Sequence, residues 1–132
     1  MKKLLLMMPL LYAGSLLAQS APTTVINRKQ LFQQILAKTS IEEVRMDQIT
    51  FAPGQGAPVH HHPCEVYGYV VSGEILYQPA GEEAVLLHTG DAFREAAGQE
   101  ITAFKNAHDD KPATFVAIYL LKKNQSNIIV NQ

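Results

Sequence analysis

The chain has 132 residues, with 11 basic and 12 acidic side chains and a formal net charge of −1. That length allows one compact domain, and the balanced charge without a basic cluster argues against a nucleic-acid partner. The single cysteine, Cys64, excludes an internal disulfide, and beside Pro63 it is expected to be a buried structural thiol rather than a soft metal ligand.

The first 20 residues have the features of a cleavable signal peptide. Lys2 and Lys3 give a basic start, residues 4–17 are apolar but short for a bilayer span, and small residues allow cleavage after Ala18 or Ser20. The alternative is an uncleaved N-terminal anchor. We predict a signal peptide over residues 1–20, a periplasmic or secreted protein with no membrane contact after cleavage, and one domain over residues 21–132.

The beginning of that domain has two readings. Residues 30–37 fit either a short amphipathic helix or an N-terminal strand. Residues 44–51 alternate apolar and polar side chains, as a half-buried strand does, but the alternation changes phase between Met46 and Ile49. Such a change indicates a bulge or a bend in the strand.

The middle and end of the chain have the pattern of short strands. Residues 66–71 and 74–78 flank Ser72-Gly73, which predicts a hairpin with a two-residue connection. The apolar run 113–121 is rich in β-branched and aromatic residues and predicts a strand buried on both sides. Many short strands between glycine and proline turns predict a single small all-β barrel.

Three consecutive histidines carry the clearest chemistry of the sequence. In an extended segment, side chains alternate between the two faces, so His60 and His62 point the same way while His61 points to the opposite side. His60 and His62 can therefore reach one metal ion or one ligand together. His88 and His108 stand next to turn residues, and we expect a structural role for His88 and a solvated loop position for His108.

Residues 54–73, GQGAPVHHHPCEVYGYVVSG, resemble the first cupin motif, G-x5-H-x-H-x3-4-E-x6-G. Both end glycines and both histidines fit the motif. Counted back from Gly73, the glutamate of the motif falls on Val66. Glu65 is one residue away, and a one-residue offset in a strand places a side chain on the other face.

Residues 90–106 resemble the second cupin motif, G-x5-P-x-G-x2-H-x3-N. Gly90 and Gly98 fit, and Asn106 comes one residue late. The proline of the motif is replaced by Ala96, and the third metal-binding histidine by Ile101. Two of the four usual metal ligands of the family are therefore absent from their positions.

The resemblance extends over residues 28–123 and is closest to small exported single-domain cupins. It implies an all-β fold, the cupin jelly roll or double-stranded β-helix barrel, with its core at about residues 41–123. It favours a strand over a helix at residues 30–37. It also implies that a homodimer is common for proteins of this size.

A cupin normally binds a divalent transition metal through three imidazoles and one carboxylate. Here His60 and His62 supply two nitrogens. Glu95 is the best third ligand, because it shares a strand face with Phe93 and because glutamate recurs there in the relatives. Two histidines and one carboxylate suit Fe, Mn or Zn. The alternative is that the histidines line an empty or organic-ligand pocket and that Glu95 faces solvent.

Two functions are compatible with this reading. The first is a metal-dependent cupin with dioxygenase- or isomerase-like activity on a small-molecule ligand inside the barrel. The second is a non-catalytic periplasmic module that binds or senses a small molecule and has lost the metal site. The sequence identifies no catalytic residue and no site for an organic cofactor.

Overall fold

The computed structural model of the chain describes residues 26–131. The predicted signal peptide, residues 1–20, lies outside these residues. No helix in the described range is long and apolar enough to cross a membrane. The described strands, in chain order, are β1 (Glu43–Phe51), β2 (His60–His61), β3 (Glu65–Ser72), β4 (Glu74–Pro79), β5 (Val85–His88), β6 (Ala92–Glu95), β7 (Glu100–Asn106), β8 (Ala113–Leu121) and β9 (Ile129–Val130).

The strands form two antiparallel sheets that face each other. One sheet has the order β1-β8-β3-β6 and the other the order β5-β4-β7-β2-β9. Side chains alternate between the barrel interior and the outside, as the two-residue period of a strand requires. The inward side chains form one core that includes Val66, Val70, Ile75, Ile101 and Leu121. The all-β jelly roll that the resemblance implied is therefore confirmed.

The predicted hairpin between β3 and β4 is wrong. β3 pairs with β6 and β8, whereas β4 pairs with β5 and β7, so the chain crosses from one sheet to the other at Gly73. Gly73 has a φ of 79°, and an added Cβ would lie 2.8 Å from the Cα of Ala113. Only glycine allows that conformation with so close a neighbour. A crossing between sheets therefore requires glycine here just as a hairpin would.

The bulge predicted in the first strand does not occur. β1 pairs with β8 along all nine residues without a register shift. The change of phase instead places Val44 and Met46 on the outer face, where they are 63% and 65% exposed, while Ile49 and Phe51 line the interior. The strand therefore remains regular, and two of its apolar side chains are exposed.

The segment before β1 is irregular. Residues 30–37 form neither the helix nor the strand considered from the sequence, so the expectation of a strand there is wrong. An eight-residue helix is marginal in water unless it packs against something, and most side chains here are exposed, Ile35 at 87%. The segment lies along the outside of the barrel, where the ring of Phe32 contacts that of Tyr67 at a centroid distance of 5.5 Å.

Residues 113–121 form the predicted strand, β8, but not one buried on both sides. Buried and half-buried residues alternate along it, because β1 and β3 pair with its two edges while its outer face is covered only in part. One partly solvated face is usual for an antiparallel sheet.

Candidate metal centre

Strand β2 and the residue that follows it present His60 and His62 to the barrel interior. β2 lies between β7 and β9, with His60 opposite Ile101. The His60 and His62 side chains are only 4% and 5% exposed. His61 points the other way, and its Nδ1 lies 2.9 Å from the Oδ1 of Asn131. The alternation expected for an extended segment is what the structure shows.

Glu95 joins the two histidines from the end of β6. It stands opposite Val66 in the pairing of β3 with β6, and its side chain is 4% exposed. Its Oε2 lies 2.7 Å from the Nε2 of His62 and 3.8 Å from the Nε2 of His60. A carboxylate from the neighbouring strand thus points into the space beside Val66, where the motif has its glutamate.

Glu65 does not take part in this cluster. It points outward, as the one-residue offset predicts, and forms a two-pronged ion pair with Arg94 at 2.7 and 2.9 Å. The half-exposed position of the pair indicates a role at the barrel surface.

Backbone carbonyls fix the orientation of both imidazoles. The Nδ1 of His60 donates to the carbonyl of Pro58 at 2.8 Å, and the Nδ1 of His62 donates to the carbonyl of Asn127. A carbonyl oxygen can only accept, so each Nδ1 carries a proton. Both Nε2 atoms are therefore the ones that face Glu95, the arrangement that second-shell acceptors give to metal-binding histidines.

The charges inside this cluster are coupled. Burial favours the neutral form of Glu95, but the contacts with His60 and His62 outweigh it and hold the pKa of Glu95 below its ordinary value. Burial likewise disfavours the charged form of His60, yet its contact with Glu95 and its hydrogen bond with the Pro58 carbonyl bring the pKa of His60 above its ordinary value. The cluster stabilises a positive charge between the imidazoles and the carboxylate.

A divalent metal ion fits that requirement. One ligand atom from each of His60, His62 and Glu95 lies within 4.8 Å of the others. Because both Nδ1 protons are engaged by carbonyls, the space between the Nε2 atoms and the carboxylate needs a cation, either a proton or a metal ion. Two imidazole nitrogens and one carboxylate oxygen suit Zn, Mn or Fe.

The comparisons with known proteins agree with this fold. The family model described as a cupin domain matches residues 48–119, more than half of the chain. The chain belongs to the cupin family. No curated protein sequence matches it significantly.

Solved structures similar to this cupin share its fold. The DMSP lyase DddQ from Ruegeria pomeroyi has a TM-score of 0.58 at 17% identity, over 67% of this chain and 43% of that one. An oxalate oxidase in complex with glycolate has a TM-score of 0.57 at 26% identity, over 65% and 45%. A cupin-like protein from Thermotoga maritima has a TM-score of 0.58 at 20% identity, over 67% and 64%. This cupin spans less than half the length of the first two proteins.

The histidines and Glu95 line part of a half-open cavity of about 190 Å³. The ring of Phe93 lies against Gly68, where an added Cβ would be 2.0 Å from the ring. Gly68 therefore makes room for one wall of the cavity. The wall around the cluster is mostly apolar and consists of Ile49, Phe51, Ala57, Val66, Phe93, Phe104, Phe115, Ala117, Tyr119 and Ile128.

The C-terminal segment contributes to the site in a way that the sequence did not indicate. The resemblance ended at residue 123, but Asn127 supplies the carbonyl that holds His62, and Ile128 lines the cavity. β9 then pairs with β2 beside His60 and His61. A backbone acceptor has no side-chain signature, so no motif could have revealed it.

The two remaining described histidines meet outside the barrel. The Nε2 of His108 lies 2.6 Å from Oε2 of Glu74, and the Nε2 of His88 lies 3.6 Å from Oε1 of the same residue. We refer to Glu74, His88 and His108 as the surface cluster. His108 is not the solvated loop residue that we expected, because a backbone hydrogen bond from Ala107 to Glu74 holds its loop against β4.

Cys64 is buried, in agreement with the sequence analysis. Burial, as the largest influence, raises the pKa of its thiol above the ordinary value. A protonated, buried thiol outside the group of His60, His62 and Glu95 is a packing residue.

Proposed function

We propose that this cupin is an exported protein that binds one divalent metal ion through His60, His62 and Glu95. The observation that carries the proposal is the convergence of two carbonyl-anchored imidazoles on one oxygen of a buried carboxylate. Three protein ligands leave coordination positions for a small molecule from the cavity. Zn, Mn and Fe are the metals that the ligand set favours.

A metal held here would act as a Lewis acid or an oxygen-binding centre, which supports dioxygenase- or isomerase-like chemistry. The residues of the chain would bind and orient the reactants. The carbonyls of Pro58 and Asn127 hold the imidazoles, and the apolar wall excludes water from the ligand. Similar structures include proteins named as a lyase and an oxidase, so the fold is compatible with enzymes of more than one class.

A second candidate function is a non-catalytic module that binds or senses a small molecule. It is favoured by the two apolar residues, Val66 and Ile101, that occupy the positions of the missing ligands. Mass spectrometry of the small molecules released from the purified protein distinguishes the two functions. A ligand recovered unchanged after incubation with the metal-loaded protein supports the binding module, and its conversion supports the enzyme.

Metal analysis of the exported protein, purified without a histidine tag, tests the proposal. We expect about one Zn, Mn or Fe per chain in the native protein and loss of that metal in the Glu95→Gln variant. Substitution of Glu65 by glutamine is the matched control, because that carboxylate points outward to Arg94. Native protein without metal, and without affinity for added metal, would contradict the proposal.

Export is proposed from the first 20 residues. The basic start at Lys2 and Lys3, the short apolar run and the small residues before position 21 support a cleavable signal. Intact-mass measurement of the protein from the periplasm or the medium should give a chain that begins at Gln19 or Ala21. A mass that retains residues 1–17 would indicate an uncleaved anchor instead.

A further inference from the structure

The wall of the cavity is rich in aromatic side chains. The ring of Phe104 lies 5.0 Å from that of Phe115 and 5.2 Å from that of Phe93, measured between centroids. Ala117 and Ile128 add aliphatic surface to the same wall. Among the described residues, no lysine or arginine lines the cavity. Aromatic rings pack favourably against other rings in tilted or edge-on arrangements, and they offer a polar ligand nothing to replace its lost water.

The size of the cavity suits a ligand with one ring. It has a volume of about 190 Å³. An apolar cavity of roughly 150 Å³ engineered into another protein binds benzene, and pockets for drug-sized ligands begin at about 300 Å³. A single six-membered ring with one or two small substituents therefore fits, and two fused rings exceed the space.

The polar groups of the cavity lie at one end, which gives the ligand a direction. A divalent metal with two neutral imidazoles and the Glu95 carboxylate carries one net positive charge. One anionic oxygen on the ligand neutralises it, whereas a dicarboxylate leaves a buried negative charge without a cationic partner in the lining. The ligand should thus carry one ionisable oxygen group on an otherwise apolar body.

We propose that this cavity selects monocyclic phenols, with the ring against Phe93, Phe104 and Phe115 and the oxygen facing His60, His62 and Glu95. The inference rests on the proposed function for the charge at the polar end of the cavity, and it deepens that function by naming the ligand class. It separates this cupin from a protein that takes up small dicarboxylates.

Calorimetric titrations in sequence test the proposal. Metal-free protein is first titrated with Zn(II), and the zinc-loaded protein is then titrated separately with phenol, cyclohexanol, 2-naphthol and oxalate. Cyclohexanol controls for aromaticity and acidity, 2-naphthol for size and oxalate for charge. We expect phenol to bind at least about tenfold more tightly than each of the other three.

Two variants with a matched control locate the binding. Ala117→Leu fills the cavity without changing a proposed metal ligand, and Ala92→Leu makes the same change on the outward side of β6. We expect the first to weaken phenol binding at least about tenfold with zinc affinity within about threefold, and the control to change neither. Phe104→Leu enlarges the cavity and should improve the binding of 2-naphthol relative to that of phenol. This variant still tests the proposal if Ala117→Leu does not fold.

The outcomes distinguish the two levels of the proposal. Zinc binding without a preference for phenol overturns the ligand class and leaves the metal proposal intact. Phenol binding that neither Ala117→Leu nor Phe104→Leu alters places the phenol outside the cavity, which also overturns the inference. Failure of the zinc titration overturns both proposals, and it is recognised before any organic probe is added.

Discussion

Two clusters of two histidines and one glutamate occur in this cupin, and they differ in burial. In the buried cluster, His60, His62 and Glu95, the side chains are 4%, 5% and 4% exposed. In the surface cluster, His88 is 59% exposed, and His108 and Glu74 are each 29% exposed. The residue types are the same, so the difference between the clusters lies in their surroundings.

The geometry of the two clusters differs as well. The buried imidazoles converge on a single oxygen, Oε2 of Glu95, and backbone carbonyls hold both of their Nδ1 atoms. The surface imidazoles contact different oxygens of Glu74, and the Nδ1 of His88 lies 3.6 Å from a carboxylate oxygen of Asp91. The comparison indicates that ligand atoms suit a metal ion when they converge on one point and their side chains are held in a fixed orientation; the residue types alone are not enough.

The largest difference should appear when one histidine is removed from each cluster. His62→Ala should lower Zn(II) or Mn(II) affinity on the order of 100-fold or more, because it removes a buried ligand, while His108→Ala should leave it within about twofold. Calorimetry with untagged, metal-free protein measures both. His61→Ala is a further control, since that side chain points outward. Equal losses from all three variants would contradict the assignment of the site.

The second difference concerns the carbonyl of Asn127, which accepts a hydrogen bond from His62. Among the described residues, the surface cluster has no such backbone acceptor. A chain that ends at Ser126 loses this acceptor and β9. Its metal affinity should fall by about 10- to 100-fold, the usual effect of losing an outer-shell partner. Asn131→Ala is the control, because it removes only the side chain that contacts His61 and Glu100. Unchanged affinity in the truncated chain would show that His62 needs no partner.

The buried cluster should also respond to an added ligand. Ile101 is fully buried opposite His60, so Ile101→His brings a third imidazole next to the existing pair. We expect metal affinity to rise by about tenfold and the metal-free variant to lose about 2–3 kcal/mol of stability, because apolar packing is replaced by a buried polar group. Thermal unfolding with and without Mn(II) measures both effects. Unchanged affinity here, together with no effect of Glu95→Ala, would favour the binding module.

The smallest effect should come from the surface cluster itself. His108→Ala removes a half-buried contact with Glu74 and should lower the free energy of unfolding by about 1 kcal/mol or less. Urea unfolding of the metal-free protein measures it, with His88→Ala expected to have a smaller effect because its contact is longer and more exposed. A loss of stability in either variant that grows when metal is added would mean that the surface cluster, and not the buried one, binds the metal.

Much of the fold could be predicted from the sequence, because strand periodicity and turn glycines are local properties. The two cupin motifs and the alternation of His60, His61 and His62 were confirmed. The connection at Gly73 was misread, since a glycine with positive φ is needed equally for a hairpin and for a crossing between sheets. The strand that the family resemblance favoured at residues 30–37 is also absent. Neither the resemblance nor the local pattern, which allowed a helix or a strand, reveals whether a partner strand is available.

The residues of the candidate site likewise differ in whether the local sequence could predict them. The two histidines follow from strand geometry. The place of Glu95 depended on the family resemblance and on the pairing of β6 with β3, which sets Glu95 opposite Val66. The carbonyls of Pro58 and Asn127 could not be predicted, because any residue type can supply a backbone oxygen. His108 was misjudged because its partner, Glu74, is far from it in sequence.

Anomalous diffraction from crystals of the metal-free, untagged protein soaked in Mn(II) tests most directly whether His60, His62 and Glu95 bind a metal ion, because it locates the ion among the candidate ligands. We predict one strong peak between the Nε2 atoms of His60 and His62 and the carboxylate of Glu95, and none at the surface cluster. A peak only at Glu74, His88 and His108, or no peak in the cavity at saturating Mn(II), would contradict the account.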